Sequence, residues 1–301
     1  MHNTKYPILI SKNTFTASSL QQIIQIILRI RNKLNKVLWF RGQGAYYNLV
    51  PSLLRKSRII RDPRGNKTIK EGLASGSTYA FPNQFKMVEK FSNISSHLFK
   101  TKPENILEWL CIMQHYRIPT TLLDWTIDPM IALFFATDII DSENLNTVEI
   151  GMNYIKDKEF IAELWIIAPE LINLHSEFNK EYIFDTGSGQ ANAFMKSKGN
   201  LFPIAINNPM IEERLILQKG CFTIHGSDIR PLNHLFERYD MIYKIEIPKD
   251  VLIKIRNILI TLGYTHDYFY PNDDTKYKHI RNNEISRFMR WYNTYKKSLF
   301  E

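Results

Sequence analysis

Between Ile118 and Asp138 the chain reads IPTTLLDWTIDPMIALFFATD, which sets Asp124, Trp125 and Thr126 at the joint between an apolar strand-like run and an apolar helix-like run. A carboxylate, an indole and a hydroxyl in that place can serve a ligand. They can also do less: Asp124 capping a turn and Trp125 filling the core is the commoner fate of such a pair. Arg41 is the strongest single candidate elsewhere, because a guanidinium fork at a strand end beside Gly42 suits a bidentate grip on phosphate. Its competing role is a buried ion pair, with Asp124 as the partner. Gln114 and His115 end a helix candidate just before the joint, where a lone histidine is more often a hydrogen-bonded structural residue than a base.

Most common chemistries leave no trace. DTGSGQ, at positions 185–190, is short and lacks the strand before and the helix after that a dinucleotide-binding glycine loop requires. GxxxxGK[ST], HExxH and GxSxG do not occur, which leaves P-loop, zincin and hydrolase-elbow readings without support. His115, Asp124 and Asp128 lie close in sequence, but a magnesium nuclease calls for more carboxylates. Cys111 and Cys221 sit in apolar runs without a CxxC pair, so they read as buried thiols and no metal site is expected.

The elements that must hold these residues follow from patterning. Ser18 or Ser19 caps an amphipathic helix, LQQIIQIILRIRNKL, and VLWFRG then reads as a strand ending at Gly42. Helices are expected near Asn83–Lys100 and near Glu104–Tyr116, the second with Pro103 at its start. TTLLDW is a strand, and Asp128-Pro129 opens the helix MIALFFATDII. AELWIIAP and MIYKIEIP read as strands, Lys180–Gly199 as a long irregular loop, and EERLILQKGCFTI as two strand pieces bent at Lys219-Gly220. KDVLIKIRNILITLG is a helix closed by Gly263. Strands and helices do not alternate as a doubly wound sheet demands, so the class is α+β.

With 301 residues, 44% hydrophobic and 13% aromatic, the chain has material for one large core or two modest ones. No apolar run reaches the roughly 18 residues of a membrane span, and the first residues do not resemble a signal peptide, so a cytoplasmic protein without a membrane partner is expected. The net charge of +9 favours phosphate polymers. It concentrates in RKSRIIRDPRGNKTIK (Arg55–Lys70), which reads as a mobile loop, and in the C-terminal DDTKYKHIRNNEISRFMRWYNTYKKSLF, where cations interleave with aromatics. That mixture suits phosphate neutralisation with base stacking. The competing reading packs the aromatics on the core and leaves the cations as a solvated face.

Four ordered blocks make a further pattern: WFRGQGAYYNLVPSLLR (Trp39–Arg55), MQHYRIPTTLLDWTIDPMIALFFATD (Met113–Asp138), ERLILQKGCF (Glu213–Phe222) and LGYTHDYFYPNDD (Leu262–Asp274). Together they resemble the FRG domain, a bacterial family named for the element that is here Phe40-Arg41-Gly42, over roughly Val37–Arg281. The chain departs from the family's usual small residue and arginine at Tyr116-Arg117 and Thr121. On this division residues 1–36 are an N-terminal helical segment, 37–281 the domain and 282–301 a basic, aromatic C-terminal helix.

The blocks are also similar to ADP-ribosyltransferases. In those enzymes an Arg or His stands on a first strand, a Ser/Thr strand runs into a helix of the pattern vAxxFA, and a late strand has the form ExEvLLxxGxxF. The resemblance implies an ADP-ribosyltransferase-like split β-sheet core with surrounding helices, and NAD as substrate. It puts Arg41, Gly42, Gln43, His115 and Trp125 on the dinucleotide and Arg41, Asp124, Thr126, Glu213, Arg214 and Gln218 at the reaction centre. Asp124, Trp125 and Thr126 would then meet a ribose and a flat ring. The position of the usual catalytic glutamate is Arg214. Strand alternation puts Arg214 and Gln218 in the pocket and Glu213 on the other face. Asp124 is then one candidate for the charge stabiliser, and Arg214 can equally be a surface salt-bridge residue. The implied activity is that of a toxin or anti-phage effector that transfers ADP-ribose from NAD to a macromolecule, nucleic acid and first of all RNA, with an antitoxin or inhibitor protein as a further partner. The other reading is a non-catalytic nucleic-acid or nucleotide-binding module.

Overall fold

A computed structural model describes residues 8–11, 13–44, 46–55, 58–61, 78–80, 82–99, 102–137, 161–196, 202–208, 213–270 and 281–299. Much of the Arg55–Lys70 stretch lies outside these residues. Its described part includes a short strand, Arg58–Arg61, paired antiparallel with Thr78–Ala80, where a loop was expected. In chain order the strands are β1 (Ile8–Ser11), β2 (Thr14–Thr16), β3 (Trp39–Gln43), β4 (Arg58–Arg61), β5 (Thr78–Ala80), β6 (Leu122–Thr126), β7 (Ile161–Ile167), β8 (Ile204–Asn207), β9 (Gly220–Ile224) and β10 (Ile242–Pro248).

All but β4 and β5 form one eight-stranded sheet in the order β1-β2-β10-β7-β3-β6-β9-β8. Every pairing is antiparallel except β2 with β10, where Thr14, Phe15 and Thr16 align with Lys244, Ile245 and Glu246. The mixed sheet with irregularly placed helices is the expected α+β class. One junction is thin. Strand β3 pairs with β7 from Trp39 to Gln43, and β6 with β9 from Leu122 to Thr126, but β3 meets β6 only at Phe40–Thr126. The sheet therefore bears a seam between β3 and β6.

The apolar side chains fall into two clusters that divide near that seam. In the first, Ile23, Ile26, Ile27 and Ile30 of α1 (Leu20–Leu34) recur at helical spacing and pack with α4 (Pro129–Thr137) and α9 (Lys249–Thr261) on β3, β7 and β10. Each such isoleucine contributes about 1.5–3 kcal/mol by leaving water. The second joins α2 (Gln84–Ser95), α3 (Ile106–His115) and the C-terminal helix to β8, β9 and Leu122 of β6. In the C-terminal helix (Ser286–Ser298), Phe288 and Tyr292 are buried, and Phe288 meets Phe91 of α2 edge-on at 5.5 Å. Its aromatics thus serve packing.

Helix ends show why the local sequence folds so. Ser19, in extended conformation, accepts from the N–H of Gln22 and opens α1. Asp128 does the same for α4, accepting from the N–H of Met130 at 2.9 Å, with Pro129 as the first helical residue. Helix α3 begins later than Pro103 suggested, because Asn105 takes the cap and accepts from Leu107 and Glu108.

Two expectations are overturned. Lys180–Gly199 contains a helix, α6 (Gly189–Lys196), whose leading glycine masks it but whose Ala191 and Phe194 are buried one turn apart. Glu213–Leu217 is not a strand but one short helix, α7, since five residues carry too little periodicity to separate the two forms. The bend does fall at Lys219-Gly220, where Lys219 takes φ 46° and β9 begins. Between these elements lie α5 (Pro169–Leu174), α8 (Leu232–Leu235) and α10 (His266–Phe269), which, with the C-terminal helix as α11, complete the described α-helices. No helix among the described residues is long and apolar enough to cross a membrane.

Candidate functional site

The Phe-Arg-Gly element stands on the seam, and each residue does something different. Phe40 is buried and makes the pairing with Thr126. A Cβ on Gly42 would lie 1.7 Å from the carbonyl oxygen of Ala132 and 2.7 Å from the N–H nitrogen of Ala136, so only glycine lets α4 seat this closely on β3. Packing explains Gly42 without any phosphate contact.

Arg41 crosses the seam. Its Nη1 donates to the backbone carbonyl of Asp124 at 2.7 Å and lies 3.7 Å from the Asp124 carboxylate, while Nε donates to Gln43 Oε1 at 3.2 Å. Among the described residues no acceptor is bonded to Nη2. Burial lowers the proton affinity of Arg41, Asp124 opposes that effect and Arg55 adds to it. An arginine still keeps its charge near neutrality.

Gln43, expected on the dinucleotide, stands behind Arg41 instead. Its amide nitrogen donates to the Tyr47 carbonyl at 2.9 Å and to Glu163 at 3.3 Å. Glu163, only 2% exposed, also accepts from Trp165 Nε1 at 3.0 Å and Lys244 Nζ at 3.1 Å. Burial raises its pKa against the pull of those donors. Gln43 therefore couples the guanidinium to a buried ion pair and fixes its direction.

At the joint the three residues part company. Asp124 projects into open space, with its carboxylate 52% exposed and held by Gln114 Nε2 at 2.8 Å. Gln114 in turn accepts from the Thr120 hydroxyl through its own oxygen, so the amide that holds the carboxylate is itself fixed. Trp125 is buried, and its N–H is used on Thr223 Oγ1 at 3.0 Å, the core-filling role, while the residue also lines the cavity. The Thr126 hydroxyl donates to the Gln218 carbonyl at 2.8 Å and accepts from the N–H of Asp128 at 3.1 Å. It pins the joint to the segment before β9.

These groups surround a cavity of about 410 Å³. Phe40, Trp125, Ala132, Phe135, Leu215 and Phe222 supply its apolar wall. Arg41, Ser52, Arg55, Gln114, His115, Arg117, Asp124 and Gln218 supply the polar one, with Asp124 the only carboxylate among the described lining residues. The Nε2 of Gln218 is shielded from solvent and meets no acceptor among the described residues. Such a donor is costly unless a ligand or water completes it. His115 borders the cavity with its ring edge-on to Tyr116 at 5.0 Å. Glu213 and Arg214 belong to α7, where strand alternation does not apply, and their side chains lie outside what is described.

Of the residues expected at the site, the cavity brings together Arg41, Gly42, His115, Asp124, Trp125, Thr126 and Gln218, and it leaves Gln43 behind the wall. Ser52, Arg55 and Arg117 are additions. Arg55 had a signal in the basic stretch that it opens. Arg117 had another: it follows a helix end, where glycine is the usual residue.

Residues 36–144 match the family model of the FRG domain. The matched stretch contains β3, α3, β6 and α4, hence Arg41 and Asp124, whereas α7 and Gln218 lie beyond it. No curated protein and no solved structure matches the chain.

Proposed function

We propose that the cavity is a NAD site and that the protein is an ADP-ribosyltransferase acting on a macromolecule, with RNA the favoured acceptor and a toxin or anti-phage role. The observation that carries the reading is the gathering, at one seam, of a guanidinium from β3, a fixed carboxylate from β6 and an unpaired amide donor just before β9. In this reading Arg41 grips the diphosphate. Departure of nicotinamide takes the electron pair of the glycosidic bond and leaves positive charge on the ribose. In the same reading Asp124, preoriented by Gln114, stabilises that charge. The acceptor's nucleophile then bonds to the anomeric carbon and releases its proton to water. Gln218 Nε2 donates to a ribose oxygen.

A second reading has its own support. Thr126 and Trp125 commit their polar atoms to the protein itself, which leaves fewer groups for catalysis and suits a non-catalytic nucleotide-binding or nucleic-acid-binding module. The test is incubation of the protein with cell lysate and NAD labelled in its adenylate half, followed by separate RNase and protease digestion. The expected result is nicotinamide release and incorporated label lost only to RNase. Label lost only to protease moves the acceptor to protein, and NAD that is bound but never consumed selects the binding module.

A further inference from the structure

Helix α3 ends in a Schellman turn. The N–H of Arg117 bonds to the Gln114 carbonyl at 2.9 Å, and that of Ile118 to the Met113 carbonyl at 2.9 Å. The turn holds Arg117 at φ 58°, in the left-handed region where a Cβ is strained and glycine is the common occupant. The same kind of turn after α9 uses Gly263, at φ 87°. An arginine here gains the modest attraction of a cation for a helix C-terminus, which the strained φ opposes, so its side chain invites a further role.

Arg117 lines the cavity, as do Arg41 and Arg55. Arg55 spends one nitrogen on the Val50 carbonyl at 2.9 Å. Among the described residues no carboxylate lies within ion-pair distance of Arg55 or Arg117. Among the described residues three arginines thus line a cavity with a single carboxylate, Asp124, which Gln114 already holds, and the charge of Arg55 is felt at Arg41. Like charges around a concave site repel one another until an anion sits among them, and a guanidinium fork matches phosphate oxygens in pairs.

We infer that Arg117, with Arg55 and Arg41, forms a subsite for a diphosphate group. The assignment rests on the NAD reading for the rest of the ligand, but the anion subsite stands on the three arginines. It is a place where the chain accepts backbone strain to hold a charge.

The test is isothermal titration at low salt with inorganic pyrophosphate and with ADP-ribose, on the wild type, Arg117→Gly and Arg55→Gln, alongside a thermal melt of each. Arg117→Gly is expected to melt at or above the wild-type temperature, because glycine relieves the strained turn. Its dissociation constants for both ligands are expected to rise about ten- to a hundredfold, the value of one charge-assisted contact. Arg55→Gln is expected to weaken both ligands without a change in melting, and it decides the matter should Arg117→Gly fail to fold. Wild-type protein that ignores pyrophosphate, or variants that bind it as well as the wild type, would overturn the subsite. NAD turnover separates the two readings. Pyrophosphate binding lost in the variants of a protein that never consumes NAD upholds the subsite against the transferase. Turnover with an unchanged KM in both variants does the reverse.

Discussion

Replacing Asp124 by asparagine keeps the volume of the side chain and removes its charge. Because Gln114 can still donate to the remaining oxygen, the fold is expected to persist, with kcat for NAD falling about 10²- to 10³-fold and nucleotide affinity nearly unchanged. Steady-state kinetics with a melting control check this; a variant that unfolds would return Asp124 to a structural role. His225 offers a second residue-scale outcome. It is 3% exposed, its Nε2 lies 3.3 Å from the Arg230 carbonyl, and its Nδ1 is buried without a described partner. A carbonyl only accepts, so the neutral ring carries its proton on Nε2. Burial lowers its pKa from 6.5 to about 4. The unfolded chain therefore binds the extra proton first, and stability is lost as pH falls from about 6.5 towards 4, by about 3 kcal/mol at most. Urea unfolding across that window is expected to show a flatter pH dependence for His225→Gln than for the wild type, and equal slopes would reject the assignment.

At the scale of elements, the contact of α4 with β3 depends on one missing atom. Gly42→Ala forces a Cβ into backbone at 1.7 Å, which no rotamer avoids, so β3 and α4 must part. The expected cost is about 3 kcal/mol or more, read as a lower denaturation midpoint, together with a wider cavity and weaker ligand binding. The same glycine shows how far sequence reaches. That Phe40-Arg41-Gly42 matters is legible, since an arginine on a strand end next to glycine is unusual. The reason for the glycine is not, because Ala132 lies ninety residues away in sequence and its approach is a property of packing. Capped helices such as α1 and α4 were legible from their first turns. Helix α7 was not, since its apolar residues fit either period, and α6 hid behind glycine and polar residues that resemble loop. Asp124 could be picked out as a candidate, but the bonds that commit Thr126 to Gln218 and Trp125 to Thr223 span some ninety residues or more of chain. Gln43 failed for a similar reason: its partner Glu163 is on a strand that pairs across the sheet.

For the whole molecule, the +9 net charge is the feature that a polyanion would read. The aromatics of α11 are not free to stack on bases. Tyr295 bonds to the Asn83 N–H at 3.1 Å, and Lys86 and Lys90 lie 6.0 Å over Tyr295 and Trp291. RNA binding is therefore expected to be almost wholly electrostatic, with log K falling by about 0.7 per phosphate contacted for each unit of log salt. Changing Lys296 and Lys297 together to glutamine is expected to reduce that slope by about one to two while leaving nucleotide binding alone. Filter binding at several salt concentrations measures it, and a salt-independent affinity would rule out the polyanion. The parallel pairing of β2 with β10 bears on how the chain is made. On a ribosome β1 and β2 have each other to pair with, but the other edge of β2 has no neighbour, because Lys244, Ile245 and Glu246 are still to be synthesised. The pair must wait to join the sheet, and with it the edge formed by β1. Until β10 is made the nascent chain carries an open β2 edge and an apolar α1 face, so a chain stalled before residue 242 is expected to engage chaperones more than one stalled after residue 248.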